Sequence, residues 1–108
     1  MPVRALVREA AYRLAPSSRL LRRAPITDKR VALTFDDGPD EMTLEYLDLL
    51  DDLGVPATFF LVGDRADARP DLVREYVRRG HQIAVHGYDH RRFPDLTASE
   101  LADQLRQS

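Results

Sequence analysis

From residue 30 onward, short apolar runs alternate with stripes of apolar residues at helical spacing. Val31-Ala-Leu-Thr-Phe35 is a run of strand formers that stops on Asp36 and Asp37, and Gly38 and Pro39 then break it, because that pair continues neither a strand nor a helix. Tyr46, Leu49, Leu50 and Leu53 fall at i, i+3, i+4 and i+7, predicting a helix over about Thr43–Leu53 that Gly54 closes. Residues 57–62 form a second apolar strand ended by Gly63. Pro70 suits the first turn of a helix that buries Leu72, Val73, Tyr76 and Val77 and stops at Gly80. Gln82–Val85 is a third strand, and Thr97 with Glu100 is a capping-box signature for a last helix carrying Leu101 and Leu105. Three strand-helix units in succession imply an α/β fold with a parallel sheet and right-handed crossovers. All three strand tips then face one side. That topology brings Asp36 and Asp37 beside His86 and His90, which follow the third strand.

The first 29 residues read differently. Val3, Leu6, Val7, Ala10 and Leu14 share one helical face, with Arg4 and Arg8 off it, so a short amphipathic helix is expected. Such a helix packs on its own domain or makes weak contact with an anionic membrane surface through residues 3–14. Residues 15–29, with Pro16, Ser17, Ser18 and Pro25, read as a basic linker. The expected organisation is therefore a helix and linker over 1–29 and a domain over 30–108. No apolar stretch is long enough for a signal-peptide core or a membrane span, which leaves a cytoplasmic or an envelope-associated location open.

Composition narrows the chemistry. A chain of 108 residues, 44% hydrophobic and 31% charged, forms one domain with a modest core. The absence of cysteine excludes disulfides and thiolate metal sites. A net charge of −2 hides +6 over residues 1–30 and −8 over residues 31–108, and the acidic part argues against a nucleic-acid surface there.

An Asp-capped turn would explain Asp36-Asp37-Gly38-Pro39 by itself. The histidines make the stretch more than a turn. His86 and His90 are four apart, so on a helical turn both imidazoles project from one face and can bind one metal. One carboxylate completes a two-histidine, one-aspartate set with positions left for water. Gly87 stands where zinc proteases of the His-Glu-x-x-His kind carry their base, so a base must come from elsewhere, and the spare aspartate at the strand tip supplies it. Neighbouring residues on an extended tip point opposite ways, so one aspartate can coordinate while the other faces substrate. A phosphoacceptor domain also keeps acids at a strand tip but has no use for the histidine pair, and Lys29 is the chain's one lysine. A two-histidine, one-carboxylate iron oxygenase shares the ligands, and oxygen dependence would expose it. His81 precedes a strand and lies at the opposite rim, Asp40, Asp64, Asp89 and Asp95 read as turn or loop acids, and Tyr88 as a packing residue or, failing that, a wall of the site.

Thr34-Phe-Asp-Asp-Gly-Pro-Asp40, Ala57-Thr-Phe-Phe-Leu-Val-Gly63 and Gly80-His-Gln-Ile-Ala-Val-His-Gly-Tyr-Asp-His90, in that order, closely resemble the first half of the polysaccharide deacetylase family, the NodB-homology domains of carbohydrate esterase family 4. The resemblance runs from about Arg30 to the end. It implies the first part of a distorted (β/α) barrel that removes N-acetyl groups from sugars of peptidoglycan, chitin or related glycans. It makes Asp36 the general base, and Asp37, His86 and His90 the protein ligands of zinc or a similar divalent ion. Gly87 replaces the commoner Ser or Thr at its place. The family's later motifs, an Arg-Pro-aromatic segment that holds the catalytic aspartate and a Leu-x-His that supplies the acid, do not occur in these residues. The expectation is a truncated product of a longer gene, with a metal-binding remnant lacking turnover as the alternative.

Overall fold

The computed structural model describes residues 2–16, 18 and 23–108. The chain separates into two compact units, Met1–Arg30 and Val31–Ser108. In the first, α1 (Val3–Leu14) is amphipathic, with an i,i+4 ion pair between Arg13 and Glu9 at 2.9 Å and with Val3, Leu6, Val7 and Leu14 exposed. The expected linker falls partly on residues 17 and 19–22, outside the described residues.

The second unit runs β1 (Thr34–Gly38), α2 (Thr43–Leu53), β2 (Thr58–Leu61), α3 (Gly63–Ala68), α4 (Pro70–Arg78), β3 (Gln82–Val85), a 3-10 turn (Phe93–Asp95) and α5 (Ala98–Gln107). The strands pair in parallel in the order β1-β2-β3, with Phe35, Phe59 and Ile83 in one register row and Asp36, Phe60 and Ala84 in the next. This is the expected α/β architecture of parallel strand-helix repeats. Phe59 and Leu61 alternate inward from β2 and bury themselves against Leu47 and Leu50 of α2 and Tyr76 of α4. Burying each large apolar side chain contributes roughly 1.5–3 kcal/mol. Phe35 stacks on Phe59 at 5.0 Å and Phe59 packs on Tyr76 at 4.4 Å, which ties β1 through β2 to α4. Asp36, one residue on from Phe35, falls on the sheet face away from these helices.

Several expectations need correction. The first strand starts at Thr34 rather than Val31, and Val31 is almost fully exposed. The reason lies in the facing chain. Pro56 has no N–H, and the Ala57 N–H donates to His81 Nδ1 (3.2 Å), so the ladder opens with the Thr58 N–H donating to the Leu33 carbonyl. β1 also runs on through both aspartates to Gly38. The buried face of α2 is Thr43, Leu47 and Leu50, not the stripe of Tyr46, Leu49, Leu50 and Leu53, of which Leu50 alone is buried. Leu-Asp-Leu-Leu-Asp-Asp-Leu carries two apolar diagonals through Leu50, and the hydrogen-bonding contact of Thr43 Oγ1 with the Tyr76 hydroxyl (3.1 Å) fixes which one turns inward. Val77 of α4 is exposed, whereas Leu72 and Tyr76 are buried as expected. The strand ended by Gly63 leads directly into α3, which the periodicity did not indicate.

The helix ends follow their local chemistry. Pro70 occupies the first turn of α4. At α5 the Thr97 hydroxyl accepts from the Glu100 N–H (3.2 Å) while Glu100 Oε2 accepts from the Thr97 N–H (2.8 Å), completing the capping box. Arg79, mostly buried, binds Asp48 (2.6 Å) and Asp51 (2.8 Å) of α2 and Glu75 (3.0 Å) of α4, locking the two helices together.

Candidate metal centre

The site begins with an irregularity in β1. The register to β2 slips between Asp36 and Gly38, leaving Asp37 as a bulged residue with φ 73°. A bulge turns its side chain out of the strand's alternation, and here it aims the Asp37 carboxylate across the strand tips. Asp37 Oδ1 lies 3.1 Å from His86 Nε2 and 2.9 Å from His90 Nε2. Among the described residues these three form a cluster whose donor atoms lie within 4.8 Å of one another. Two donors at zinc's usual bond length of about 2.0–2.1 Å, subtending a tetrahedral angle, are roughly 3.3 Å apart, so the set fits one cation with modest adjustment. Imidazole nitrogen and carboxylate oxygen suit zinc and neighbouring divalent ions.

His86 directly follows β3, and its N–H extends the ladder to the Leu61 carbonyl at 2.9 Å. His90 lies in an irregular loop with φ 63°, not on a helical turn. The two imidazoles therefore meet because the loop doubles back, with Gly87 (φ 74°) opening the turn. A Cβ at Gly87 would also come 3.3 Å from the Phe93 ring, and these two demands account for glycine where the resemblance expects Ser or Thr. Asp36 is exposed beside Asp37, and its carboxylate takes no hydrogen bond among the described residues. The two acids thus differ through the bulge rather than through simple alternation.

The loop is held from outside. The Gly63 N–H donates to the Gly87 carbonyl (3.0 Å) and the Asp64 N–H to the Tyr88 carbonyl (2.8 Å), so the first turn of α3 grips the histidine loop. Gly63 permits that approach, since a Cβ there would sit 2.5 Å from the Tyr88 ring and 3.1 Å from Tyr88 Cα. Arg65 Nη1 donates to the Asp37 carbonyl (2.6 Å). The Tyr88 hydroxyl donates to Asp67 (3.1 Å), and that carboxylate, which a phenolate would have to face, raises the Tyr88 pKa. Asp89 is a turn acid, as expected: burial opposes its ionisation, but the Arg91 N–H and guanidinium and the Gln104 side chain outweigh that and hold its carboxyl below the ordinary range. Asp40 likewise accepts from the Met42 N–H at 2.8 Å. His81 lies at the opposite end of β3, buried edge-on against Phe59.

Gly63, Arg65 and Gln104 were not singled out by pattern. Gln104 offered a faint signal, being a polar residue three positions from Leu101 on the expected buried face. Gly63 read as a strand terminator, and the approach of Tyr88 is a long-range fact. A hollow of about 430 Å³ opens beside His86 and His90, walled by Val85, Phe93, Pro94 and Leu105 together with Arg91 and Arg92.

A parallel sheet with a two-histidine, one-carboxylate cluster at its strand tips defines an α/β protein with a candidate cation site at its open rim. The chain belongs to the polysaccharide deacetylase family, whose model matches residues 23–108. It is 49% identical over 78 residues to a chitooligosaccharide deacetylase of Sinorhizobium fredii, covering 71% of this chain and 35% of that one. It is 42% identical over 82 residues to a peptidoglycan-N-acetylglucosamine deacetylase of Bacillus cereus, covering 75% and 30%. A solved peptidoglycan N-acetylglucosamine deacetylase superimposes with a TM-score of 0.69 at 42% identity, over 70% of this chain and 36% of that one. The chain thus spans about a third of the length of these relatives, and its units are those of the first part of a (β/α) barrel.

Proposed function

We propose that this chain carries the metal centre and base of an enzyme that hydrolyses the acetamide of N-acetylated sugars in a polysaccharide such as peptidoglycan or a chitin-like glycan. The observation that supports it is the meeting of Asp37, His86 and His90 beside a second carboxylate, Asp36, that takes no hydrogen bond from the described residues. Asp37 Oδ1 and the two Nε2 atoms would hold a divalent ion, which we take to be zinc. Such an ion supplies Lewis acidity and makes water acidic enough to deprotonate near neutral pH. Asp36 acts as general base, taking the proton of the attacking water as its oxygen adds to the acetyl carbon. Asp37 and the histidines fix where that water stands, and the hollow beside them has apolar walls and arginine donors suited to a sugar ring. The C–N bond then breaks to acetate and free amine, with a proton supplied to the departing nitrogen. By the family resemblance that donor lies on the late Leu-x-His segment.

The test separates binding from turnover. In the protein as its native source makes it, Asp36→Asn should keep zinc affinity and lose acetate release from a chitooligosaccharide, whereas His86→Ala and His90→Ala should lose both. Equal loss of metal in all three variants would refute the division of roles. Coverage of a third of the relatives favours one further reading, a metal-binding remnant without turnover. The protein as its native source makes it, binding zinc tightly and releasing no acetate, would establish it. We place its work at the cell envelope, a reading supported by the peptidoglycan named for one of the relatives. No helix among the described residues is long and apolar enough to cross a membrane, and we assign α1 a weak contact with an anionic surface.

A further inference from the structure

Gln104 stands out in α5 because it is buried to 3% exposure while its neighbour Leu105 is 55% exposed, the reverse of what polarity dictates. Its amide oxygen accounts for this. Gln104 Oε1 accepts from the Tyr88 N–H (2.9 Å) and from the Asp89 N–H (3.1 Å), the two peptide groups midway between His86 and His90. The loop belongs to no strand or helix, so these amides have no ladder to join, and a buried peptide N–H without an acceptor is costly. The carbonyls of Gly87 and Tyr88 are taken from the other side by the first turn of α3. The loop's peptide groups are therefore held between α3 and one side chain of α5. The loop also carries two left-handed residues, Gly87 and His90, and His90 adopts that conformation despite its Cβ. A loop of this kind needs outside contacts to keep one shape.

We propose that Gln104 is a positioning residue for the metal centre: by accepting from both central amides, it holds His86 and His90 at the separation that lets them share one cation with Asp37. This rests on the reading of Asp37, His86 and His90 as a metal site. The requirement is for an acceptor with two lone pairs at the end of a three-carbon reach that adds no charge beside the Asp89 carboxylate. Methionine fills similar space without accepting, and asparagine falls one methylene short.

The test is zinc affinity by chelator competition on the full chain, together with amide hydrogen exchange at Tyr88 and Asp89. Gln104→Met should weaken zinc binding by about 10–100-fold, the range seen when groups orienting metal ligands are removed, and should speed exchange at both amides. Leu101→Ala, which trims an apolar side chain of α5 three residues before Gln104 and keeps the Gln104 amide, should lower thermal stability and leave zinc affinity within about threefold, well under the effect of losing an orienting group. Should Gln104→Met fail to fold, Gln104→Asn takes its place with the same expectation. Zinc binding by Gln104→Met equal to wild type, or an equal loss in Leu101→Ala, overturns the proposal. Failure of the wild-type chain itself to bind zinc would instead overturn the metal-site reading on which it rests.

Discussion

Gly63→Ala tests whether the grip of α3 on the histidine loop sets the site's geometry. The added Cβ would lie 2.5 Å from Tyr88 Cδ2, 3.3 Å from Cε2 and 3.1 Å from the Tyr88 Cα. The ring can swing only by giving up the hydroxyl contact with Asp67 at 3.1 Å, and the Cα is backbone, which cannot rotate away. Overpacking of this kind costs roughly 1–3 kcal/mol. Alanine recovers up to about 1 kcal/mol of helix propensity at the start of α3. The net expectation is a loss of about 1–2 kcal/mol. The strain is relieved by pushing the loop at Tyr88, between the two histidines, so zinc affinity should fall by about tenfold or more, as when the support of metal ligands is disturbed. Urea unfolding at neutral pH reads the first effect and chelator competition the second. Leu50→Ala is the control, since it removes buried volume from α2 far from the loop and costs about 2–5 kcal/mol. That variant should be less stable than Gly63→Ala yet bind zinc like wild type while folded. Destabilised Gly63→Ala with wild-type zinc affinity would refute the coupling of α3 to the histidine loop.

The remaining predictions concern the helices. Hydrogen bonds from Arg78 and then Arg79 lower the Glu75 carboxyl from 4.5 to about 2. A pKa lower in the folded than in the unfolded chain means stability that is fully present above about pH 4.5 and fades as pH falls toward 2. The stability gap between wild type and Glu75→Gln should therefore be widest at neutral pH and shrink on acidification, and a gap independent of pH would contradict the assignment. In α1, exposed Val3, Leu6 and Val7 beside Arg4 and Arg8 predict weak co-sedimentation with vesicles containing anionic lipid, reduced by salt and by Leu6→Glu. Equal retention on neutral and anionic vesicles would rule that contact out.

Which parts of this architecture were legible in sequence follows from the range of the interactions involved. Helix limits at Thr43–Leu53 and the capping box of Thr97 and Glu100 rest on local chemistry, and periodicity or spacing locates them. The parallel order follows from the succession of units. The inward face of α2 did not follow, because Leu50 belongs to two apolar diagonals and the choice is made by Tyr76, thirty-three residues beyond Thr43. The start of β1 was misplaced for the same kind of reason: the ladder begins where Pro56 and His81 allow it, on other segments.

The site shows how far local rules reach. Strict alternation at the end of β1 would point Asp36 and Asp37 to opposite sheet faces, with Asp37 on the helix-packed face beneath Phe35. A carboxylate there would enter the apolar cluster of Phe35, Phe59 and Tyr76, which is costly without a partner. The slip between Asp36 and Gly38 avoids this by taking Asp37 out of the alternation, at φ 73°, and turning it toward the histidines. Arg65, donating to the Asp37 carbonyl, holds the bulged peptide from α3, the same helix whose first turn holds the histidine loop. One short helix, unannounced by periodicity, thus braces both halves of the candidate metal centre.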